Sequence, residues 1–272
     1  MANSKIERME NYYVVGDPIS HSRSPQIHKA FAAQIHKKIQ YDKCLVPSGG
    51  LQHFLDANKK SVNGINVTVP LKEEAWRLSD ILTDRAKSAG AVNTLWLDNG
   101  SWFGDNTDGV GFVKDLQDNL SFLIADKNIM FIGAGGAVRG VLNPVLDCGP
   151  SKVYIFNRNL QKAEKLVSGS VDERVFISRD EKIKFDLIVN STPASLQGRM
   201  PQMPAIEVNS DAIFYDMSYG KGLTQFQKYG ISRGCYSVDG IGMLVEQAAF
   251  SFFRWHGKYP ETTRVLDSLR TK

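Results

Sequence analysis

Ten residues decide the fold of this chain: Asn128-Ile129-Met130-Phe131-Ile132-Gly133-Ala134-Gly135-Gly136-Ala137. The apolar run predicts a β-strand, and the glycines predict a tight turn into a helix. In such a turn, backbone N–H groups and the helix N-terminus can hold a pyrophosphate. The spacing is a variant of the usual pattern, because Val138 stands where a third glycine or alanine is expected. A strand–helix turn that binds no ligand is the alternative interpretation.

A second pair of residues indicates which dinucleotide the turn would bind. Asn157 and Arg158 follow another apolar run, at the position where such a fold contacts the adenosine ribose. An acidic residue there would bind the 2′-hydroxyl of NAD, whereas a neutral Asn and a cationic Arg suit a 2′-phosphate. Lys162, one helical turn further on, adds a second charge. The sequence therefore predicts NADP as the cofactor.

Composition places the chain among ordinary globular proteins. It has 272 residues, 42% hydrophobic and 23% charged, and a net charge of +4. This small excess of basic residues fits anionic ligands and argues against a nucleic-acid partner. The three cysteines are far apart, so neither a disulfide framework nor a metal site is expected. We expect no membrane association and a cytoplasmic location, because no signal peptide and no spanning apolar run is recognisable.

Strand-like and helix-like runs alternate along the chain, which predicts an α/β fold with parallel sheets. Asp98-Asn99-Gly100 predicts a hairpin between its flanking strands. Residues 108–119 are expected to form a helix that links two domains, and residues 193–209 a loop. Gly240 to His256 predicts a long buried helix.

Polar residues in the N-terminal part are candidates for a ligand site. Ser22 and Ser24 lie in the loop before a predicted helix, where hydroxyl and N–H groups can hold a carboxylate. The alternative is that Ser24 only caps the helix and Ser22 only solvates the loop. Lys72 follows a strand and falls in the first turn of a helix, a position that favours a lowered pKa and acid/base chemistry. An exposed surface lysine is the alternative there.

Two further side chains, Asp108 and Asn93, each have a functional and a purely structural interpretation. Asp108 is either a helix cap or a functional carboxylate. Asn93 stands inside an apolar run, and a buried amide needs hydrogen-bond partners, which a ligand could supply.

Eight segments in order, covering nearly the whole chain, resemble the shikimate dehydrogenase family, in its NADP-dependent biosynthetic branch. They are GDPISHSRSP (16–25), NVTVPLKE (66–73), AGAVNT (89–94), GDNTDGVGF (104–112), GAGGA (133–137), the NR pair (157–158), YDMSYGKGLT (215–224) and DGIGMLVEQAA (239–249). A small departure is Asn190-Ser191-Thr192, where the family often has Asn-Ala-Thr.

The resemblance implies a reversible reduction of 3-dehydroshikimate to shikimate by NADPH, on the way to chorismate and the aromatic amino acids. It implies that Lys72 and Asp108 form the acid/base pair beside the reacting oxygen. This agrees with the chemistry, because a carbonyl that gains hydride needs a proton and a nearby positive charge.

The resemblance also implies which residues bind the two ligands. The implied substrate residues are Ser22, Ser24, Thr68, Lys72, Asn93, Asp108, Tyr219 and Gln247. The implied NADP residues are Gly133, Ala134, Gly135, Gly136, Ala137, Asn157, Arg158, Lys162, Met217, Gly240 and Asp84.

The implied architecture is a two-domain α/β enzyme with its active site in the interdomain cleft. Residues 1–109, completed by 240–272, would form the substrate domain, and residues 110–239 a Rossmann-type NADP domain. A monomer and a homodimer both fit the resemblance. The open alternatives are a quinate/shikimate dehydrogenase with broader substrate or cofactor use, and a non-catalytic NADP-binding metabolite sensor.

Overall fold

The computed structural model of the protein describes residues 9–179, 182–220 and 222–270. The residues separate into two compact units. The first unit contains the described residues up to Thr107 and from Ala248 onward, and the second contains Asp108–Gln247. The divisions predicted from the sequence lie at residues 109/110 and 239/240, whereas the structure assigns residues 108–109 and 240–247 to the second unit.

Packing explains this shift of the second boundary. Gly242 lies so close to Asp115 that an added Cβ would fall 2.5 Å from its Oδ2 atom. Asn119 Nδ2 donates a hydrogen bond of 3.2 Å to Glu246 Oε1. The first turns of the helix that begins at Ile241 therefore pack within the second unit.

The first unit alternates strands and helices as the sequence predicts. Its elements before the second unit are β1 (Glu10–Gly16), α1 (Ser24–Gln34), β2 (Ile39–Leu45), α2 (Leu51–Asn58), β3 (Val62–Val67), α3 (Lys72–Leu78), β4 (Ile81–Leu82), α4 (Asp84–Ala89), β5 (Thr94–Asp98) and β6 (Ser101–Asp105). They form a sheet of strand order β2-β1-β3-β5-β6-β4.

This first sheet is mixed rather than parallel. β1 pairs in parallel with β2 and β3, whereas β5 runs antiparallel to both β3 and β6. The predicted hairpin accounts for the pairing of β5 with β6, because its tight turn at Asn99 and Gly100, both at positive φ, reverses the chain. The predicted parallel pairing is present between β1 and its two neighbours, and the predicted hairpin is present as the antiparallel pair of β5 and β6.

The second unit continues with α5 (Asp108–Lys114), β7 (Asn128–Ile132), α6 (Gly136–Asp147), β8 (Lys152–Phe156), α7 (Leu160–Ser168), β9 (Val175–Ile177), β10 (Lys184–Asn190), β11 (Glu207–Asp216), α8 (Gln225–Ser232) and β12 (Tyr236–Asp239). The chain ends with α9 (Ile241–His256) and α10 (Thr263–Arg270). The predicted helix over 108–119 turns π-helical over Asp115–Asn119, and the predicted loop over 193–209 contains a 3₁₀ turn over Ser195–Gln197 and the start of β11.

The second sheet is parallel throughout, in the order β12-β11-β10-β7-β8-β9. Counted from β7, this is the order 3-2-1-4-5-6 of the Rossmann fold. The strand order reverses between β7 and β10, so the ends of these two strands flank the place where such sheets bind ligands. The core consists of apolar residues of β7, β8 and β10 packed against α6, including Phe131, Val141, Ile155 and Leu187.

Candidate active site

The glycine turn lies at the carboxyl end of β7, as predicted. Gly133 has a φ of 115°, and an added Cβ would collide with the hydroxyl of Ser191. Its N–H donates a 2.7 Å hydrogen bond to the carbonyl oxygen of Phe156, the last residue of β8. Only glycine meets both demands, since a side chain would be strained at this φ and would find no room. Gly135 and Gly136 then open α6.

Asn157 and Arg158 follow directly after β8, whose last residue pairs with the last residue of β7, and Lys162 lies in the first turn of α7. Asn157 Nδ2 donates a 2.8 Å hydrogen bond to the carbonyl oxygen of Asn159, which shapes the segment that enters α7. Arg158 and Lys162 are exposed. Two cations and a glycine turn at adjacent strand ends form an arrangement suited to a phosphorylated ligand.

Met217 and Tyr219 lie in the loop after β11, and Gly240, which follows β12, packs against that loop. Gly240 N–H donates a 3.1 Å hydrogen bond to the carbonyl oxygen of Ser218. A Cβ on Gly240 would lie 2.8 Å from the carbonyl carbon of Met217, so glycine permits the close approach of the two chains. Tyr219 is half-buried in the same loop.

Asp108 and Gln247 also belong to the second unit. Asp108 is the first residue of α5 and is only 6% exposed. Gln247 lies on α9, and its backbone nitrogen would be 2.5 Å from a Cβ on Gly111 of α5. Its side-chain amide donates a 2.8 Å hydrogen bond to the carbonyl oxygen of Leu244.

In the first unit, Ser22 and Ser24 are both buried and lie in contact. Ser22 Oγ donates a 3.2 Å hydrogen bond to Ser24 Oγ, and Ser24 N–H donates one of 3.3 Å to Ser22 Oγ. Arg23 is the N-cap residue of α1 and makes no side-chain capping bond. The interpretation of Ser24 as a cap and Ser22 as a solvated loop residue is therefore wrong.

Thr68 directly follows β3, and Lys72 is the first residue of α3. Thr68 N–H donates a 2.9 Å hydrogen bond to the carbonyl oxygen of Val15. Gly16 permits this approach, because a Cβ there would be 2.5 Å from Thr68 Cγ2. Lys72 is half-buried as the first residue of α3, and its carbonyl oxygen accepts a 2.9 Å hydrogen bond from Val92 N–H.

Asn93 is 2% exposed and is held by hydroxyl groups of the protein. Its Nδ2 donates a 2.9 Å hydrogen bond to Thr107 Oγ1, and its Oδ1 accepts one of 2.9 Å from Thr107 N–H. Ser251 of α9 adds hydroxyl contacts of 2.7 Å to Thr94 and 3.3 Å to Thr107. Part of the bonding that a ligand was expected to supply therefore comes from Thr107 and its neighbours.

Asp105 fixes the segment just before Thr107. Its wholly buried carboxylate accepts hydrogen bonds of 2.6 Å from Arg85 Nε, 3.0 Å from Arg254 Nε and 2.7 Å from Thr83 Oγ1. Burial alone would raise the pKa of Asp105, but the two guanidinium groups and the hydroxyl lower it below its ordinary value. Asp105 is therefore a charged structural residue.

Asp84 lies on the surface of the first unit at the start of α4. Its carboxylate is 99% exposed and forms a 3.0 Å ion pair with Lys87. Such a pair contributes little to stability, and its role as a cofactor residue stays a prediction.

Five buried polar residues were not predicted as site residues from the sequence. They are Asp105, Thr107, Asn190, Asp216 and Ser251. Asn190 and Asp216 each close an apolar run, DLIVN and AIFYD, and a polar residue at such a strand end was the available signal. Within the described residues, no group of three or more His, Cys, Asp or Glu side chains could hold a metal ion. No described helix is long and apolar enough to cross a membrane.

Three family models match the chain. Residues 14–95 match the shikimate dehydrogenase substrate binding domain, residues 116–203 match shikimate / quinate 5-dehydrogenase, and residues 240–270 match the shikimate 5′-dehydrogenase C-terminal domain. The shikimate dehydrogenase (NADP(+)) of Marinobacter nauticus is 44% identical over 272 residues, which cover 96% of this chain and 98% of the relative. That of Cupriavidus necator is 41% identical and covers 96% and 93%.

This chain belongs to the shikimate dehydrogenase family. Solved structures of similar proteins have the same fold over nearly the whole chain. Shikimate 5-dehydrogenase of Thermus thermophilus, in complex with NADP(H) and shikimate, is 28% identical with a TM-score of 0.88 and coverage of 97% and 99%. An Ael1 enzyme of Pseudomonas putida is 36% identical with a TM-score of 0.87 and coverage of 96% and 98%. The family, the two-part α/β fold class, the oxidoreductase class and NADP as cofactor, all predicted from the sequence, are confirmed.

Proposed function

We propose that this shikimate dehydrogenase catalyses the reversible NADP-dependent reduction of 3-dehydroshikimate to shikimate, a step towards chorismate and the aromatic amino acids. The observation that carries the proposal is the near full-length similarity to NADP-dependent shikimate dehydrogenases. The glycine turn with Arg158 and Lys162 beside it supports the choice of NADP.

When bound, NADPH would supply the hydride that reduces the carbonyl carbon of 3-dehydroshikimate. The carbonyl oxygen becomes an alkoxide and takes up one proton, so that NADP⁺ and shikimate result. Lys72 is the proton donor in this direction and the proton acceptor in oxidation, and its positive charge stabilises the developing alkoxide. Asp108 is the second member of the acid/base pair and holds a ring hydroxyl.

The remaining roles follow the same assignment. Ser22 and Ser24 bind the substrate carboxylate, which suits two buried hydroxyls in contact at the start of α1. Thr68, Asn93, Tyr219 and Gln247 bind the ring hydroxyls or the carboxylate. Gly133–Ala137 hold the pyrophosphate, and the residues assigned to other parts of NADP are Asn157, Arg158, Lys162, Met217, Gly240 and Asp84.

The two units divide these tasks. The first unit serves mainly as the substrate domain, and the second serves as the NADP domain, as its strand order supports. We propose a cytoplasmic location and either a monomer or a homodimer.

The test is NADPH formation, followed by absorbance, when the purified protein is mixed with shikimate and NADP⁺. Lys72→Ala is expected to lower kcat about a thousandfold, because a positioned acid/base typically contributes that much. Lys29→Ala is the matched control, since Lys29 is an exposed lysine of α1 in the same unit. It should leave kcat unchanged.

Two outcomes would change the proposal. A wild-type protein that binds NADP⁺ but does not oxidise shikimate would direct the search to quinate-like substrates or to a sensor. A Lys72→Ala variant with nearly normal kcat would remove Lys72 from its proposed role while leaving the reaction in place.

A further inference from the structure

The second unit contains a carboxylate that none of the roles above uses. Asp216 is the last residue of β11, and its side chain is fully buried. Oδ1 accepts hydrogen bonds of 3.1 Å from Asn190 Nδ2 and 3.1 Å from Ser218 N–H. Oδ2 accepts hydrogen bonds from Ser195 Oγ and, at 2.8 Å, from Thr224 Oγ1. All four donors are neutral, so these bonds compensate the cost of burying the carboxylate.

Three of the four donors lie in two different loops, and the fourth, Asn190, is the last residue of β10. Ser218 and Thr224 lie in the loop between β11 and α8, which carries Met217 and Tyr219. Ser195 lies in the loop that follows β10, and Asn190 is the residue at which that loop begins. One carboxylate therefore holds both loops at the carboxyl ends of neighbouring strands.

Asn190 extends this connection toward the glycine turn. Its Oδ1 accepts hydrogen bonds of 3.0 Å from Thr192 N–H and 2.8 Å from Thr192 Oγ1. The intervening Ser191 donates through both N–H and Oγ to the carbonyl oxygen of Ile132, at 2.9 and 2.8 Å. Ser191 Oγ occupies the space that a side chain at Gly133 would need.

The same loop after β11 is fixed from the other side. Met217 N–H donates a 2.9 Å hydrogen bond to the carbonyl oxygen of Asn190, and Gly240 N–H donates to that of Ser218. Met217, Tyr219, Gly240 and the glycine turn thus all lie on segments connected, directly or through one residue, to Asp216. These segments carry three of the proposed cofactor elements, namely Met217, Gly240 and the glycine turn, and one proposed substrate residue, Tyr219.

We propose that Asp216 is a positioning residue for NADP binding. Its buried carboxylate, shared by the loop after β10 and the loop after β11, sets the conformation of both loops before the cofactor arrives. The inference rests on the proposed function, because that function places Met217, Gly240 and the glycine turn against NADP. A preorganised site binds more tightly, since ligand binding then has no loop conformation to select.

The experiment compares two buried aspartates at opposite ends of a pair of neighbouring strands, β11 and β10. Asp216→Ala leaves four donors without their acceptor. Asp186→Ala is the matched control, because Asp186 lies in β10 near its start and accepts hydrogen bonds of 2.8 Å each from Asn128 N–H and Asn209 Nδ2. Both variants should lower Tm, since both lose buried hydrogen bonds.

Only Asp216→Ala should weaken NADP⁺ binding, measured as Kd by isothermal titration calorimetry. We expect Kd to rise about tenfold, with Asp186→Ala within about twofold of wild type. Asp216→Asn should recover most of the affinity, because its Oδ1 still accepts and the hydroxyls of Ser195 and Thr224 can turn to accept from Nδ2. A Kd for Asp216→Ala within about twofold of wild type, with Tm lowered as in Asp186→Ala, would overturn the inference.

Ser195→Ala covers the case in which Asp216→Ala does not fold. Ser195 is half-buried, and this change removes one donor to Asp216 and one acceptor of Asn190 Nδ2. Its Kd for NADP⁺ should rise about threefold, and an unchanged Kd would contradict the inference. A wild type that binds NADP⁺ without oxidising shikimate would refute the reaction alone, whereas a wild type that binds no NADP⁺ would refute both.

Discussion

The two units present their proposed ligand groups in different ways. In the first unit these groups are side chains held by other side chains, as Asn93 is held by Thr107. In the second unit the central element is backbone, the turn at Gly133, and its cationic side chains Arg158 and Lys162 are exposed. Substitutions in the first unit should therefore act through lost chemical groups. Substitutions at the turn of the second unit should act through added volume and backbone strain.

The sharpest test of this difference is a methyl group added to the turn. Gly133→Ala should raise the Kd for NADP⁺ about a hundredfold, because the residue is at positive φ and its Cβ would collide with Ser191 Oγ. Isothermal titration calorimetry measures the change.

Gly149→Ala is the control for backbone strain alone. Gly149 has a φ of 73° in the same unit, with nothing within 4 Å of an added Cβ. Its Tm should fall slightly while its Kd for NADP⁺ stays unchanged. Equal losses of affinity in the two variants would show that backbone strain, rather than the collision with Ser191, causes the rise in Kd for NADP⁺ in Gly133→Ala.

A lower pH should destabilise the first unit through its histidines. All five histidines, at positions 21, 28, 36, 53 and 256, lie in that unit. Burial, with the nearby His256 adding to it, lowers the pKa of His28 to about 3. Burial also lowers the pKa of His256 to about 4, with Glu10 opposing and Lys37 reinforcing the shift. Both imidazoles are therefore neutral in the folded protein near neutral pH.

The sign of the pH effect follows from these lowered pKa values. Below the ordinary value of 6.5 the unfolded chain takes up protons that the folded chain does not, so stability falls as the pH drops from 6.5 toward 4. His28 alone should contribute a loss of about 2 kcal/mol between pH 7 and pH 5. Urea denaturation of wild type and His28→Leu at both pH values measures it.

His28→Leu should show a smaller loss between the two pH values than wild type. His53→Leu, at an exposed histidine of α2, serves as the control and should follow wild type. Identical pH dependence in all three proteins would contradict a neutral buried His28.

The smallest expected effect concerns Arg158, an exposed side chain of the second unit that is proposed to contact the 2′-phosphate. Arg158→Ala should raise the KM for NADP⁺ about tenfold and leave that for NAD⁺ nearly unchanged, because only NADP carries the 2′-phosphate. Lys165→Ala, an exposed basic residue of α7, should change neither value. An equal rise of KM for NADP⁺ and NAD⁺ in Arg158→Ala would show that Arg158 does not bind the 2′-phosphate.

The parts of the fold that the sequence predicts are those that depend on residues close together in the chain. The glycine turn, the hairpin at Asn99-Gly100 and the long helix through Val245 each follow from residues adjacent in sequence, and all three are present. The short strands β4 and β9, of two and three residues, gave no such signal. Their pairing depends on β6 and β8, which lie elsewhere in the chain.

The polar interior shows the limit of local patterns. Asn66 Nδ2 donates a 3.0 Å hydrogen bond to Ser251 Oγ across 185 residues of sequence. Asp216 meets Asn190, 26 residues earlier, only because β10 and β11 pair in register. Such partners are chosen by the folded sheet, so the residue types alone could indicate strand ends but not their partners.

The discontinuity of the first unit has a consequence for protein synthesis. Ser251, Arg254 and Trp255 complete its interior, and Trp255 packs so closely on Gly64 that a Cβ there would be 2.5 Å from its Nε1. The second unit is one continuous stretch, Asp108–Gln247. On the ribosome it is complete before the residues that close the first unit have been translated. The interior of the first unit therefore cannot be completed by its opening hundred residues alone, and its closure depends on a segment that is translated only after the whole second unit.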